Sequence, residues 1–266
     1  MSNETLKLMV HGLTDVGLVR EHNEDCIDWD LERGLFLLAD GMGGHNAGEV
    51  ASELAIQSVK RALYDLLAPE VVESEIVNFN TAIYEAITFA NQEIYEQSHE
   101  RAECAGMGTT IVVALVQNDK MIVANVGDSR MYHIHDGKLS QITTDHSLVQ
   151  EMVDGGFLTE DEAQKSVSRN LITRALGIAE DVDVDIHEHD ISVGDIFMMC
   201  SDGLTDLVTD DEISSILIEG RGDLDAAVQN LVDAANDRGG KDNTSVIVVA
   251  SNKAYSDEQG YEDSVA

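Results

Sequence analysis

Between Thr109 and His135 three short runs rich in Val, Ile and Met follow one another closely: Thr109 to Val116, Lys120 to Val126 and Arg130 to His135. Runs of this length and composition are strands. Asn118-Asp119 separates the first two and Asp136-Gly137 follows the third, and both dipeptides favour the tight turns of hairpins. Consecutive hairpins predict an antiparallel sheet. Further strand-like runs are Lys7 to Gly12, Gly34 to Ala39, Asp195 to Cys200 and Thr244 to Ala250.

Other segments change period. Asn46 to Leu67 places Val50, Leu54, Ala55, Val59, Ala62, Leu63 and Leu66 near one helical face. Val71 to Glu96 does the same with Ile76, Phe79, Ile83, Ile87, Ala90 and Ile94. Shorter helices are expected at Leu148 to Gly155, Asp210 to Leu217 and Asp223 to Asn236. Long paired helices followed by hairpins predict an α+β layering rather than alternating βαβ units. Two sheets packed face to face, with helices outside, would use these elements economically. There is no internal repeat, and Pro69 is the only proline.

The chain carries 51 Asp plus Glu against 16 Lys plus Arg, a formal net charge of -35. A surface this acidic repels nucleic acid and anionic lipid, so neither is an expected partner. The three cysteines, Cys26, Cys104 and Cys200, form no CxxC pair, which points to free thiols in a reducing compartment. The N-terminus lacks the basic-then-apolar pattern of a signal peptide, and no apolar run is long enough to cross a bilayer. A soluble cytoplasmic protein is expected. From Ser251 to Ala266 the chain is polar and acidic, and is expected to be a disordered tail.

Acidic residues recur where apolar runs end. Asp40 follows Leu35 to Ala39 and precedes Gly41; Asp202 follows Phe197 to Ser201 and precedes Gly203. Asp128 follows Met121 to Gly127, Asp242 precedes the run from Thr244, and Glu24-Asp25 follows Asn23. Carboxylates converging from strand ends suit hard cations such as Mg²⁺ or Mn²⁺. Taken singly, each has a plainer reading: Asp-Gly makes turns, Ser201 or Asp202 could cap a helix, and Asp128 could pair with Arg130. Arg20 could grip a phosphate through its planar fork or form a surface ion pair. His187 and His189 share a strand face, as do His133 and His135, and solvated faces are the expected reading of both. HExxH, GxxxxGK[ST] and GxSxG are absent from the sequence.

In order, the segments Thr14 to Asp25, Ala39 to His45, Met107 to Thr110, Val126 to Arg130, Asp145 to Ser147, Thr173 to Gly177, Ser201 to Leu204 and Lys241 to Ser245 resemble metal-dependent serine/threonine phosphatases of the 2C type. The resemblance is to the compact bacterial members and runs from about residue 9 to 250. It implies an α-β-β-α sandwich of four layers, forming one catalytic domain over residues 1–250 with a flap around 146–173. It implies two Mn²⁺ or Mg²⁺ ions at one edge. Asp40 would bridge them, the Gly41 carbonyl would bind one, and Asp202 and Asp242 would complete the first site. Glu24 and Asp25 match the pair that holds the second site, and Asp128, with Asp202, matches a third, weaker one. Arg20 matches the arginine that grips the substrate phosphate. The implied reaction is attack of a metal-bridging hydroxide on phosphoserine or phosphothreonine, without a phosphoenzyme.

The implied substrates are phosphorylated proteins, targets of an opposing serine/threonine kinase, and the protein is expected to act as a monomer. Met42 stands where animal members carry a histidine thought to protonate the leaving group, and His45 is near only in sequence, so the general acid stays unassigned. Two other functions share the pattern. A pseudophosphatase would bind phosphoproteins without turnover, and a small-molecule phosphomonoesterase would prefer metabolites.

Overall fold

The structure is a computed structural model that describes residues 6–44, 47–68, 71–72, 77–159, 162–163, 166 and 171–253. Two antiparallel sheets form its centre. One runs in the order β1 (Leu6–Asp15), β11 (Thr244–Lys253), β10 (Ile196–Cys200), β7 (Arg130–His135), β8 (Lys138–Gln141). The other runs β2 (Asp25–Asp30), β3 (Leu35–Met42), β5 (Ile111–Gln117), β6 (Lys120–Val126), β9 (Asp185–Asp190), with the short β4 (Gly108–Thr109) also on β3.

Side chains alternate across each strand, so every central strand feeds two cores. Phe36, Leu38, Val112, Ala114 and Val123 meet Met131, Phe197, Met199, Ile247 and Val249 between the sheets. Leu35, Leu37, Ile111, Val113 and Leu115 point the other way, against helices α1 (Ala47–Leu63) and α2 (Phe79–Glu100). On the far side, Ile134, Met198 and Val248 pack under α5 (Asp210–Glu219) and α6 (Leu224–Asp237). Burial on both faces explains why these strands read as unbroken apolar runs. The layers are helix, sheet, sheet, helix, as expected. Two short helices complete the fold: α3 (Leu148–Asp154), and α4 (Asp202–Thr205), whose Leu204 joins the core under α5 and α6.

Several expectations need correcting. The two hairpins belong to different sheets: β5–β6 lies in one and β7–β8 in the other. The chain changes sheets at Gly127, whose φ is +108° and whose added Cβ would lie 2.6 Å from Thr110 Cγ2. The turn readings hold, since Asn118, Asp136 and Gly137 all have positive φ. β2, with the sequence Asp-Cys-Ile-Asp-Trp-Asp, is a strand the apolar pattern did not reveal. α2 starts at Phe79 because Asn78 caps it, its side chain accepting the Thr81 N–H at 3.1 Å. Asn46 and Ile76 of the expected helices lie outside the described residues.

β11 continues through Lys253, so residues 251–253 are strand, and the remainder of the expected tail lies outside the described residues. The expected flap opens with α3 and is pinned by a bridge between Ser147 and Ile172. Residues 160–161, 164–165 and 167–170 of that segment lie outside the described residues. All three cysteines are free, and burial pushes the Cys200 thiol up to about 12. Among the described residues no helix is long and apolar enough to cross a membrane.

Candidate metal centre

Strand pairing puts the acidic residues at one end of the sandwich. In the β2–β3 ladder Asp25 stands directly opposite Asp40. Across the gap between sheets, β10 and β11 pair, which brings Asp202, just after β10, near Asp242, just before β11. Ser201 ties the two sheets together: its hydroxyl donates to Asp25 Oδ2 at 2.8 Å and accepts the Ser245 N–H at 2.9 Å. Asp128 arrives from the β6–β7 connection, where the chain changes sheets.

The resulting electrostatics are unfavourable for a set of bare carboxylates. Burial raises the pKa of Asp40 well above the usual carboxylate range, and the charges of Asp25, Asp202, Asp128 and Asp242 raise it further. Burial does the same to Asp202, aided by Asp128 and Asp206. Asp25 is pushed up to about 6 by burial, against the stabilising hydrogen bonds of Ser245 and Ser201. Asp128 also reaches about 6, through burial and the charge of Asp145. Glu24 is raised by burial, an effect that Arg20 opposes.

Three of these carboxylates have a buried oxygen without a hydrogen-bond partner: Glu24 Oε1, Asp25 Oδ1 and Asp128 Oδ1. A buried, unpaired carboxylate oxygen is costly, and a divalent cation is the partner that would satisfy several at once. The donor set is entirely oxygen, which suits Mg²⁺ or Mn²⁺ over softer metals. The donor chemistry therefore fits divalent cations of the kind the resemblance implied.

Backbone packing holds these groups. Asp40 N–H donates to Thr110 Oγ1 at 3.0 Å, and the Asp40 carbonyl accepts from Thr110 N–H and Thr109 Oγ1, both at 2.9 Å. Gly41 donates its N–H to the Glu24 carbonyl at 3.0 Å, and an added Cβ there would meet Gly48 O at 2.1 Å. At Gly203 an added Cβ would meet Asn243 O at 1.9 Å. Only glycine allows these approaches.

Every sequence-predicted residue lies in this region, with two changes of partner. Arg20 donates to Asp242 Oδ2 at 2.6 Å and lies 3.8 Å from Glu24 Oε2, so its guanidinium sits at the rim of the acidic cluster. Asp128 does not pair with Arg130. That arginine makes a forked ion pair with Asp145 at 2.6–3.0 Å, leaving Asp128 free to face the cluster. His45 lies outside the described residues.

Sequence reading offered Ser201 only as a helix cap, a bond its side chain does not make, and gave Asn243, Thr110 and Asp206 no role. Asn243 Oδ1 accepts the Glu24 N–H at 2.8 Å, while its Nδ2 donates to the carbonyls of Val16 and His22. The signal for these was adjacency, since Ser201 and Asn243 each neighbour a predicted aspartate. A cavity of about 690 Å³ opens beside Asp128 and Asp202 and reaches α3 of the flap.

Comparison with known proteins gives the family and the fold. The profile of the protein phosphatase 2C family matches residues 4–244. The chain is 36% identical over 242 residues to the serine/threonine phosphatase stp of Listeria monocytogenes, covering 89% of this chain and 93% of that protein. The crystal structure of the serine/threonine phosphatase PstP/Ppp from Mycobacterium tuberculosis superposes with a TM-score of 0.82 at 34% identity, covering 93% of this chain and 99% of the other. The catalytic domain of PstP in complex with 2 manganese ions superposes with a TM-score of 0.80 at 35% identity, covering 94% and 100%.

Proposed function

The chain belongs to the protein phosphatase 2C family and is a protein serine/threonine phosphatase, and from that premise we propose how its residues carry out the reaction. Asp40, the Gly41 carbonyl, Asp202, Asp242, Glu24 and Asp25 would hold two Mn²⁺ or Mg²⁺ ions, and Asp128 with Asp202 a third, weaker one. When bound, such ions would lower the pKa of a coordinated water and so supply a nucleophile for phosphorus near neutral pH, without a covalent phosphoenzyme.

The protein's part is to place and neutralise. The Ser201 hydroxyl fixes one oxygen of Asp25 and leaves the other facing the cluster. Thr109 and Thr110 fix the backbone of Asp40. Arg20, half exposed at the rim, can exchange its carboxylate partners for two phosphate oxygens, because its fork matches both geometries. The substrate is a phosphoserine or phosphothreonine protein, the opposing enzyme a serine/threonine kinase, and the working unit a monomer whose single catalytic domain closes with β11.

The observation that carries this reading is the convergence of buried carboxylates with unpartnered oxygens at Glu24, Asp25 and Asp128. Phosphopeptide hydrolysis is expected to be stimulated by Mn²⁺ and lost in Asp202→Ala. Full activity in that variant, or no metal-stimulated turnover in the parent, would overturn the proposal. Turnover of small phosphorylated metabolites in preference to phosphoproteins would replace the substrate assignment.

A further inference from the structure

Three of the four histidines that read as solvated strand faces are brought together by the fold. His133 and His135 project from β7 into the space between the sheets, on the same side of the strand as Met131. Facing them is His189 of β9, the edge strand of the other sheet, and the His133 and His189 ring centroids are 6.5 Å apart. Asp195, just before β10, completes the group with a side chain only 3% exposed.

This group is far from the carboxylate centre. Asp195 and Asp202 flank opposite ends of β10, a separation of about 20 Å at strand rise.

Its geometry is that of a partly assembled ligand set. One potential ligand atom from each of His133, His135 and Asp195 lies within 4.8 Å of the other two. Ligand atoms around one tetrahedral ion are about 3.5 Å apart, so the set needs a contraction of about 1 Å. His135 is 52% exposed, and its Nδ1 already lies 2.8 Å from Asp195 Oδ1, in a contact that a metal ion would replace.

The remaining positions are rigid. The His133 ring stacks on Phe197 at 4.2 Å. Asp195 accepts the Ser192 N–H at 2.8 Å, and its own N–H donates to Ser251 Oγ at 3.0 Å. His133 Nε2 is buried and lies 3.0 Å from Asp195 Oδ2, within ion-pair distance. His189 Nε2, facing the same gap, is buried without a hydrogen-bond partner. A buried imidazole nitrogen left unpaired is the exception in folded proteins and calls for a missing partner.

We propose that His133, His135 and Asp195 bind a zinc-class transition-metal ion at the edge of the space between the two sheets. Two imidazole nitrogens and a carboxylate are borderline donors that select Zn²⁺ or Co²⁺ over Mg²⁺ and Mn²⁺. The site is therefore chemically distinct from the all-oxygen centre. A bound ion would pin β7 to the turn that starts β10, and its role would be structural rather than catalytic.

The proposal does not depend on the phosphatase reading, and its test removes the carboxylate centre first. Full-length Asp40→Asn/Asp202→Asn protein, stripped with a chelator, is dialysed against Zn²⁺ and analysed for metal, and is titrated separately with Co²⁺. We expect one Zn²⁺ per chain, the visible absorption of a tetrahedral Co²⁺ site, and a Tm that rises with Zn²⁺. Adding His135→Ala is expected to weaken binding by at least about 10–100-fold and to abolish the Co²⁺ bands. Because His135→Ala also removes the bond to Asp195, the metal-free Tm of each variant is measured and only the rise produced by Zn²⁺ is compared. The absence of bound Zn²⁺ in the parent, or unchanged affinity in both His135→Ala and His133→Ala, would overturn the proposal.

Discussion

Asp25 and Asp128 hold their protons to about pH 6 in the folded, metal-free protein, whereas an unfolded aspartate loses its proton near 4. Between those values the folded state binds more protons than the unfolded chain, so stability falls as pH rises through about 6. Each group contributes up to about 3 kcal/mol, fully present below about pH 4. Chelated protein is therefore expected to melt higher at pH 5.5 than at pH 7.5. Mn²⁺ should raise Tm strongly at pH 7.5 and much less at pH 5.5. A chelated Tm that climbs steadily from pH 5 to 7.5 would show that these carboxylates ionise normally. At this scale the sequence showed the right residue types but not their partners. Arg130 is two residues from Asp128, yet its fork closes on Asp145, which reaches it because Gln141 to Asp145 folds back alongside β7.

Thr110 joins elements rather than decorating one. Its hydroxyl accepts from Asp40 N–H at the end of β3 and lies 2.8 Å from Ser129 Oγ in the crossing between sheets. Thr110→Val keeps the shape but leaves both groups unpaired in a fully buried place. The expected cost is about 1–3 kcal/mol of stability, read from a denaturant melt. A lower kcat should accompany it, because the backbone carrying Asp40 loses its fixed position. Unchanged stability would mean that another group takes over both bonds. The helices and most strands were legible because their apolar period is local. β2 was not, because three aspartates in six residues depress strand propensity and only pairing with β3 makes the segment a strand. The division of the hairpins between two sheets was hidden for a related reason: alternation marks a strand's faces but not the sheet it joins.

The whole molecule carries a net charge of -35, and its self-repulsion is unfavourable in the folded state. The Debye length falls from about 10 Å at 0.1 M salt to about 3 Å at 1 M. Added NaCl should therefore stabilise the metal-free protein by about 1 kcal/mol, or roughly 2–4 °C in Tm. A Tm independent of salt would show that the surface acids are spaced beyond mutual reach. The acidic excess also gives the metal centre its character, since the cluster concentrates at one end what the surface carries everywhere. By itself the sequence determined the α+β layering, the places where strands end, and the ordered acidic segments that identify the family. Those depend on local periodicity and on residue order along the chain. Only the tertiary structure decided that Asp25 faces Asp40, that Ser201 links the two sheets, and that His133 and His189 share one gap. Those are pairings between segments far apart in sequence, set by strand register and sheet packing, which no local pattern encodes.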